Sequence, residues 1–217
     1  MNRTLDSLPE FTPGKTALIT LFAIAFAAIE GAVVHYLHLH FYPEGFSFPL
    51  AEFDPHFLFV EVIREFATVV VMFTVAFLAH RYWWGRFGWF MLIFGVWDVF
   101  YYVWLVVFEA WPESLFTADL LFLIPAPWAG PVLSPVLVSI GLVVSGALVL
   151  HGLDHGKGGP LGRSWIPTLV GWLIILGAFL QHAPRIIETN DAGPFNWGLF
   201  ATGMVVWAAG VACYRRR

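Results

Sequence analysis

The sequence predicts an all-α fold, a polytopic bundle of six membrane-spanning helices, on three observations. The mean hydropathy is +0.75, with 59% hydrophobic and 12% charged residues, a balance that excludes a soluble domain. Six apolar runs approach the roughly 20 residues that a helix needs to cross hydrocarbon. Basic residues gather in alternate connections, as the positive-inside rule requires of a multi-pass chain. The six spans use nearly all of the 217 residues and no internal repeat is evident, so residues 1–217 read as one transmembrane domain.

The first run, 16–38, follows a polar stretch, is too long for the apolar core of a signal peptide, and contains Glu30. It therefore reads as a signal-anchor helix. Ala23, Ala27 and Gly31 form a small-residue stripe that admits a close neighbour, and Glu30 beside it should point into the bundle. The second and third runs cover 57–80 and 87–108. The segment 109–134 breaks the pattern: Ser114 could cap a short helix through Asp119 to about Leu123, and Pro125, Pro127, Pro131 and Pro135 follow. Prolines at that density exclude a regular helix interior. The apolar content of this segment predicts a lid packed on the bundle, since irregular backbone at membrane depth needs cover. Ser134 and Pro135 read as N-cap and first residue of the fourth run, 133–151. Runs 165–182 and 196–213 complete the bundle, with Gly171, Gly177, Gly203 and Gly210 as packing positions. Trp83, Trp84, Trp89 and Trp165 should form one interfacial belt, and Trp111, Trp128 and Trp197 the other.

Arg3, Lys15, Arg81, Arg86, Lys157, Arg163, Arg215, Arg216 and Arg217 all fall on one side if six spans alternate. The other side has Arg185 among Glu44, Glu52, Asp54, Glu109, Glu113, Asp119, Glu188 and Asp191. This asymmetry predicts an inner (cell) membrane protein with both termini cytoplasmic. The basic rim suits anionic lipids and gives no reason to expect a nucleic-acid partner. A single cysteine, Cys213, excludes internal disulfides, iron–sulfur clusters and c-type haem attachment.

Four acids interrupt the apolar runs: Glu30, Glu61, Glu65 and Asp98, with Arg64 the only cation among them. A carboxylate at a helix centre costs roughly 2.5–3.5 kcal/mol on insertion scales, so such groups face a bundle interior or a wet cavity. By helical rise, Glu30 and Glu65 lie roughly 12 Å and Asp98 roughly 15 Å below the outer end, on three consecutive helices. Glu61 and Arg64 are spaced i, i+3 and should pair. Glu30, Glu65 and Asp98 then remain as acids without a cation. Tyr101 and Tyr102 accompany Asp98 and offer hydroxyl donors to the polar network.

Three function classes fit these residues. In the first, Glu30, Glu65 and Asp98, joined by Glu61 and one of His35 or His182, hold iron, manganese or calcium for redox or lipid-modifying chemistry on a lipid or quinone. In the second, the carboxyls form a proton or ion pathway, or the protein is an accessory subunit of a larger membrane complex. In the third, His35 with His182, or His80 with His151, brackets a b-type haem, although all four sit at helix ends. His151 and His155 have the spacing of two imidazoles on one helix face, but two ligands do not make a metal site. No Walker, Rossmann, HExxH or Ser-His-Asp pattern is present to decide whether the chain is an enzyme.

The strings REFAT, FGVWDVFYYVWL and LFLIPAPWAGPVLSPVLVS, spread over helices two to four, resemble a family of bacterial six-span integral membrane proteins without an established activity. The resemblance implies the membrane location and the six-span layout, and no chemistry.

Overall fold

A computed structural model describes residues 11–156 and 165–215. Arg3, Lys157, Arg163, Arg216 and Arg217, which contribute to the expected orientation, lie outside the described residues, as does the polar start of the chain. Helices α1 (Pro13–Phe41), α2 (Pro55–Ala79), α3 (Trp83–Glu109), α4 (Leu133–Asp154), α5 (Trp165–Leu180), the short α6 (Ala183–Thr189) and α7 (Trp197–Arg215) carry the fold. Six helical segments are long and apolar enough to span a membrane, with α5 and α6 together forming the fifth. The expected runs agree with five of these to within four residues at each end, whereas the fifth, expected to end at 182, continues through α6 to Thr189.

Local chemistry sets the boundaries. Thr12 and Asp54 occupy the N-caps of α1 and α2, each followed by a proline; the Asp54 carboxylate accepts from the His56 amide at 2.7 Å. Ala110 and Asn190 end α3 and α6 in left-handed conformations, at φ 56° each. Helix α4 begins one residue before Ser134, whose hydroxyl donates to the Pro131 carbonyl at 2.6 Å instead of capping the helix.

The central helix is α3, which packs on α1, α2 and α4, while α5 and α7 pair with each other and share a core with α3 and α4 that includes Met91, Leu142, Ile175 and Trp207. Close approach at α3–α4 depends on glycine. A Cβ at Gly95 would lie 2.5 Å from the Ser139 carbonyl oxygen, and one at Gly146 2.5 Å from that of Gly88. Gly171 and Gly203 serve the α5–α7 contact similarly, whereas Gly177 faces open space. The stripe on α1 behaves as expected: Ala23 and Ala27 are fully buried and Gly31 packs on Trp104. Trp83 and Trp165 are exposed as belt residues are, but Trp89 and Trp111 are buried and belong to the core.

The proline-rich segment packs over the bundle, but with a different construction from the one expected. Instead of a short helix from Ser114, strands β1 (Ala118–Phe122) and β2 (Trp128–Pro131) pair antiparallel, with Ala118 opposite Pro131 and Leu120 opposite Ala129. Ser114 shapes the preceding turn, accepting from the Phe116 amide at 3.2 Å. An extended hairpin lets Leu121 and Phe122 reach the bundle while Pro125 and Pro127 occupy the connection, where no ladder amide is needed. The α1–α2 connection and α6 complete this cap: the Leu50 amide donates to the Asn190 carbonyl at 2.6 Å, and Leu50, Ala129, Ile186 and Ala192 bury together.

Candidate functional site

Beneath the hairpin is a cavity of about 120 Å³. Five carboxyl groups line it: Glu30 from α1, Glu61 and Glu65 from α2, Asp98 from α3 and Asp119 from β1. Arg64 is the sole arginine or lysine in this lining. Tyr101, Tyr102, Thr68, Trp97, His38 and Tyr42 complete the polar wall, and Phe41, Phe53 and Phe57 line the part formed by the α1–α2 corner.

Arg64 joins two helices. Its Nε and Nη2 donate to Glu61 Oε2 at 2.9 and 2.8 Å, as the i, i+3 spacing predicts. Its Nη1 contacts Glu30 Oε1, so Glu30 is not the cation-free acid that the sequence suggested. The fork of the guanidinium explains this, since one planar head can serve two carboxylates at once. Thr68 Oγ1 also donates to Glu30, at 3.1 Å.

The other carboxyls are held by neutral donors. Glu65 Oε2 accepts from the Leu123 amide at 2.8 Å, which ties α2 to the end of β1. Asp98 Oδ2 accepts from Ser139 Oγ of α4 at 2.7 Å. Asp119 Oδ2 accepts from Tyr102 Oη at 2.8 Å. Tyr101 lines the same cavity and stacks on Trp97 at 6.2 Å.

Among the described histidines, His38 alone lines this cavity. His35 and His38 approach the two oxygens of Glu109 at 2.8 and 2.6 Å, clamping the end of α1 to the end of α3. His182 is buried beside Phe195 at the α5–α6 corner. Glu30, Glu65, Asp98, His35 and His182 therefore do not share one ligand sphere. Among the described residues no three His, Cys, Asp or Glu side chains are grouped as metal ligands require. His80 receives the Tyr82 amide at 3.0 Å at the start of α3, and His151 stacks on His155 with centroids 4.1 Å apart.

Two residues of this polar network escaped the sequence reading. Asp119 was grouped with the solvated acids of the outer loops, yet only 4% of it is exposed. Strand alternation would have turned it inward, but the surrounding prolines obscured the strand. Ser139 is an ordinary residue of an apolar helix until α4 is placed against Asp98.

Burial pushes the Asp119 carboxyl up to about 7, opposed by the hydrogen bond from Tyr102 and reinforced by Asp98 and Glu109. A folded-state value above the ordinary 3.8 means that the fold binds this proton more tightly than the unfolded chain does. The resulting stability is fully present below about pH 4 and is lost as pH rises through about 7. At about 1.4 kcal/mol per pH unit, the swing is a few kcal/mol at most. Asp119→Asn keeps an acceptor for Tyr102 and should flatten the dependence of the unfolding midpoint on pH between 4 and 8, with its largest gain above pH 7. An unchanged pH profile in detergent would dissociate Asp119 from it.

Fold and site together define a polytopic α-helical membrane protein with an acidic pocket beneath a β-hairpin. The chain matches no protein-family model, no curated protein and no solved structure.

Proposed function

We propose that the acidic pocket is a ligand site that exchanges a proton with, or gives charge to, a polar group entering beneath the hairpin. The single observation that supports it is the imbalance around one cavity: Arg64 is committed to Glu30 and Glu61, while Glu65, Asp98 and Asp119 are held by an amide and two hydroxyls. Three more carboxylates in a low-dielectric wall are not sustained by neutral donors alone. They take up protons, or they take up a cationic ligand. On this reading the pocket lies in the outer half of an inner membrane, with both termini cytoplasmic, and the hairpin is the lid that admits the ligand.

A metal ion is the competing occupant that the sequence raised, and the same preparation distinguishes the two. Elemental analysis of protein purified without chelator should find no stoichiometric metal. Infrared difference spectra between about pH 5 and pH 9 should show a protonated-carboxyl band that changes in Glu65→Gln and Asp98→Asn. A stoichiometric ion released by Glu65→Gln, or no protonated carboxyl across that range, would overturn the proposal.

A further inference from the structure

A second cavity, of about 440 Å³, lies between α3, α4, α5 and the hairpin. Apart from Asp98 and Ser139 its wall is apolar, built from side chains such as Phe90, Phe94, Leu142, Trp172 and Phe179. It also reaches Phe87 and Leu169, which are 42% and 46% exposed on the outside of the bundle. In a membrane protein that outside is hydrocarbon. Asp98, Leu121 and Phe122 line both cavities, so one carboxyl stands where the apolar space meets the acidic one.

The size and chemistry of this space select an occupant. An apolar cavity of roughly 150 Å³ already accommodates benzene while staying dry, so this one has room for a much longer hydrocarbon and no reason to hold water. Left empty, its walls would forfeit their dispersion contacts. From Phe87 to Asp98 the wall runs about 16 Å along α3, close to the roughly 15 Å of one leaflet of hydrocarbon. The head group is set by the junction. Carboxyl groups outnumber the one guanidinium there, which favours a cation and disfavours an acid. The Trp97 indole lines the acidic cavity, is 4% exposed, and its Nε1–H has no acceptor among the described residues. A ligand oxygen next to the cationic group would supply one.

We infer that the two cavities form one site for a single-chain lipid bearing a protonated amine, its chain along α3 between α4 and α5 and its amine at Asp98. The assignment of the head rests on the acidic pocket being a ligand site; the assignment of the chain does not.

The test uses the full chain in phosphatidylcholine nanodiscs with two photoreactive probes, hexadecylamine and hexadecanoic acid carrying a diazirine in the chain. The amine should label peptides from α3, α4 and α5 at least tenfold more than the acid. Leu142→Trp, which fills the cavity, should reduce that labelling severalfold, and Asp98→Asn should retain chain labelling while abolishing the preference for amine. Val138→Phe fills the same space from the next turn of α4 if Leu142→Trp does not fold. Labelling that neither filled variant reduces would overturn the chain site, even with the protonated-carboxyl band intact. Equal labelling by amine and acid in the unaltered protein would overturn the head assignment, and absence of that band would separately remove the pocket reading.

Discussion

Replacing Arg64 by methionine is expected to cost about 3–5 kcal/mol, because it leaves two buried carboxylates without their shared cation. Glu30 and Glu61 are 7% and 8% exposed, so water cannot substitute for the guanidinium. Arg64 itself retains 22% side-chain exposure, which places the expected effect toward the lower end of that range. Arg64→Lys should recover only part of the loss, since a point charge cannot serve Glu30 and Glu61 with the geometry of the planar fork. The triple variant Arg64→Met, Glu30→Gln, Glu61→Gln should recover most of it, because an unpaired charge rather than missing volume is the origin of the cost. Denaturation midpoints in a mild detergent read all three. A single variant within about 1 kcal/mol of the parent would show that Glu30 and Glu61 do not depend on Arg64.

Gly95→Val is the second change expected to be severe. The added Cβ would meet the Ser139 carbonyl oxygen at 2.5 Å and Val143 Cγ2 at 2.8 Å, and a helix backbone cannot yield as a side-chain tip can. Overpacking of this kind costs about 1–3 kcal/mol and occasionally more. Separating α3 from α4 would also draw Ser139 away from Asp98, coupling the packing defect to the site. Gly177→Ala is the control. No atom lies within 4 Å of its added methyl, and alanine is favoured over glycine in a helix by about 1 kcal/mol. Gly95→Val with the stability of the parent and an intact Asp98 environment would refute the tight α3–α4 contact.

Particular residues show which parts of the molecule could be read along the chain. The six spans could, because a helix in hydrocarbon must satisfy its own backbone and present about 20 apolar residues, a requirement met within one segment. Glu61 and Arg64 could, because i, i+3 neighbours share a face whatever the rest of the bundle does. Glu30, Glu65 and Asp98 were identifiable as unusual from their depth alone, and the structure does bring all three to one cavity. The hairpin was not legible, since strand pairing joins Ala118 to Pro131 across a turn and leaves no helical or alternating signature around four prolines.

The charge excess within the bilayer, and the three helices that carry it, follow from composition and helical rise. Its partition does not. That Arg64 reaches across to Glu30, that Asp119 is turned inward onto Tyr102, and that Ser139 meets Asp98 depend on which helices lie side by side. Contacts between residues 34, 17 and 41 positions apart are set by packing of small residues such as Gly95 against neighbouring backbone. The same packing places Asp98 between an acidic and an apolar cavity, a position that no local spacing encodes.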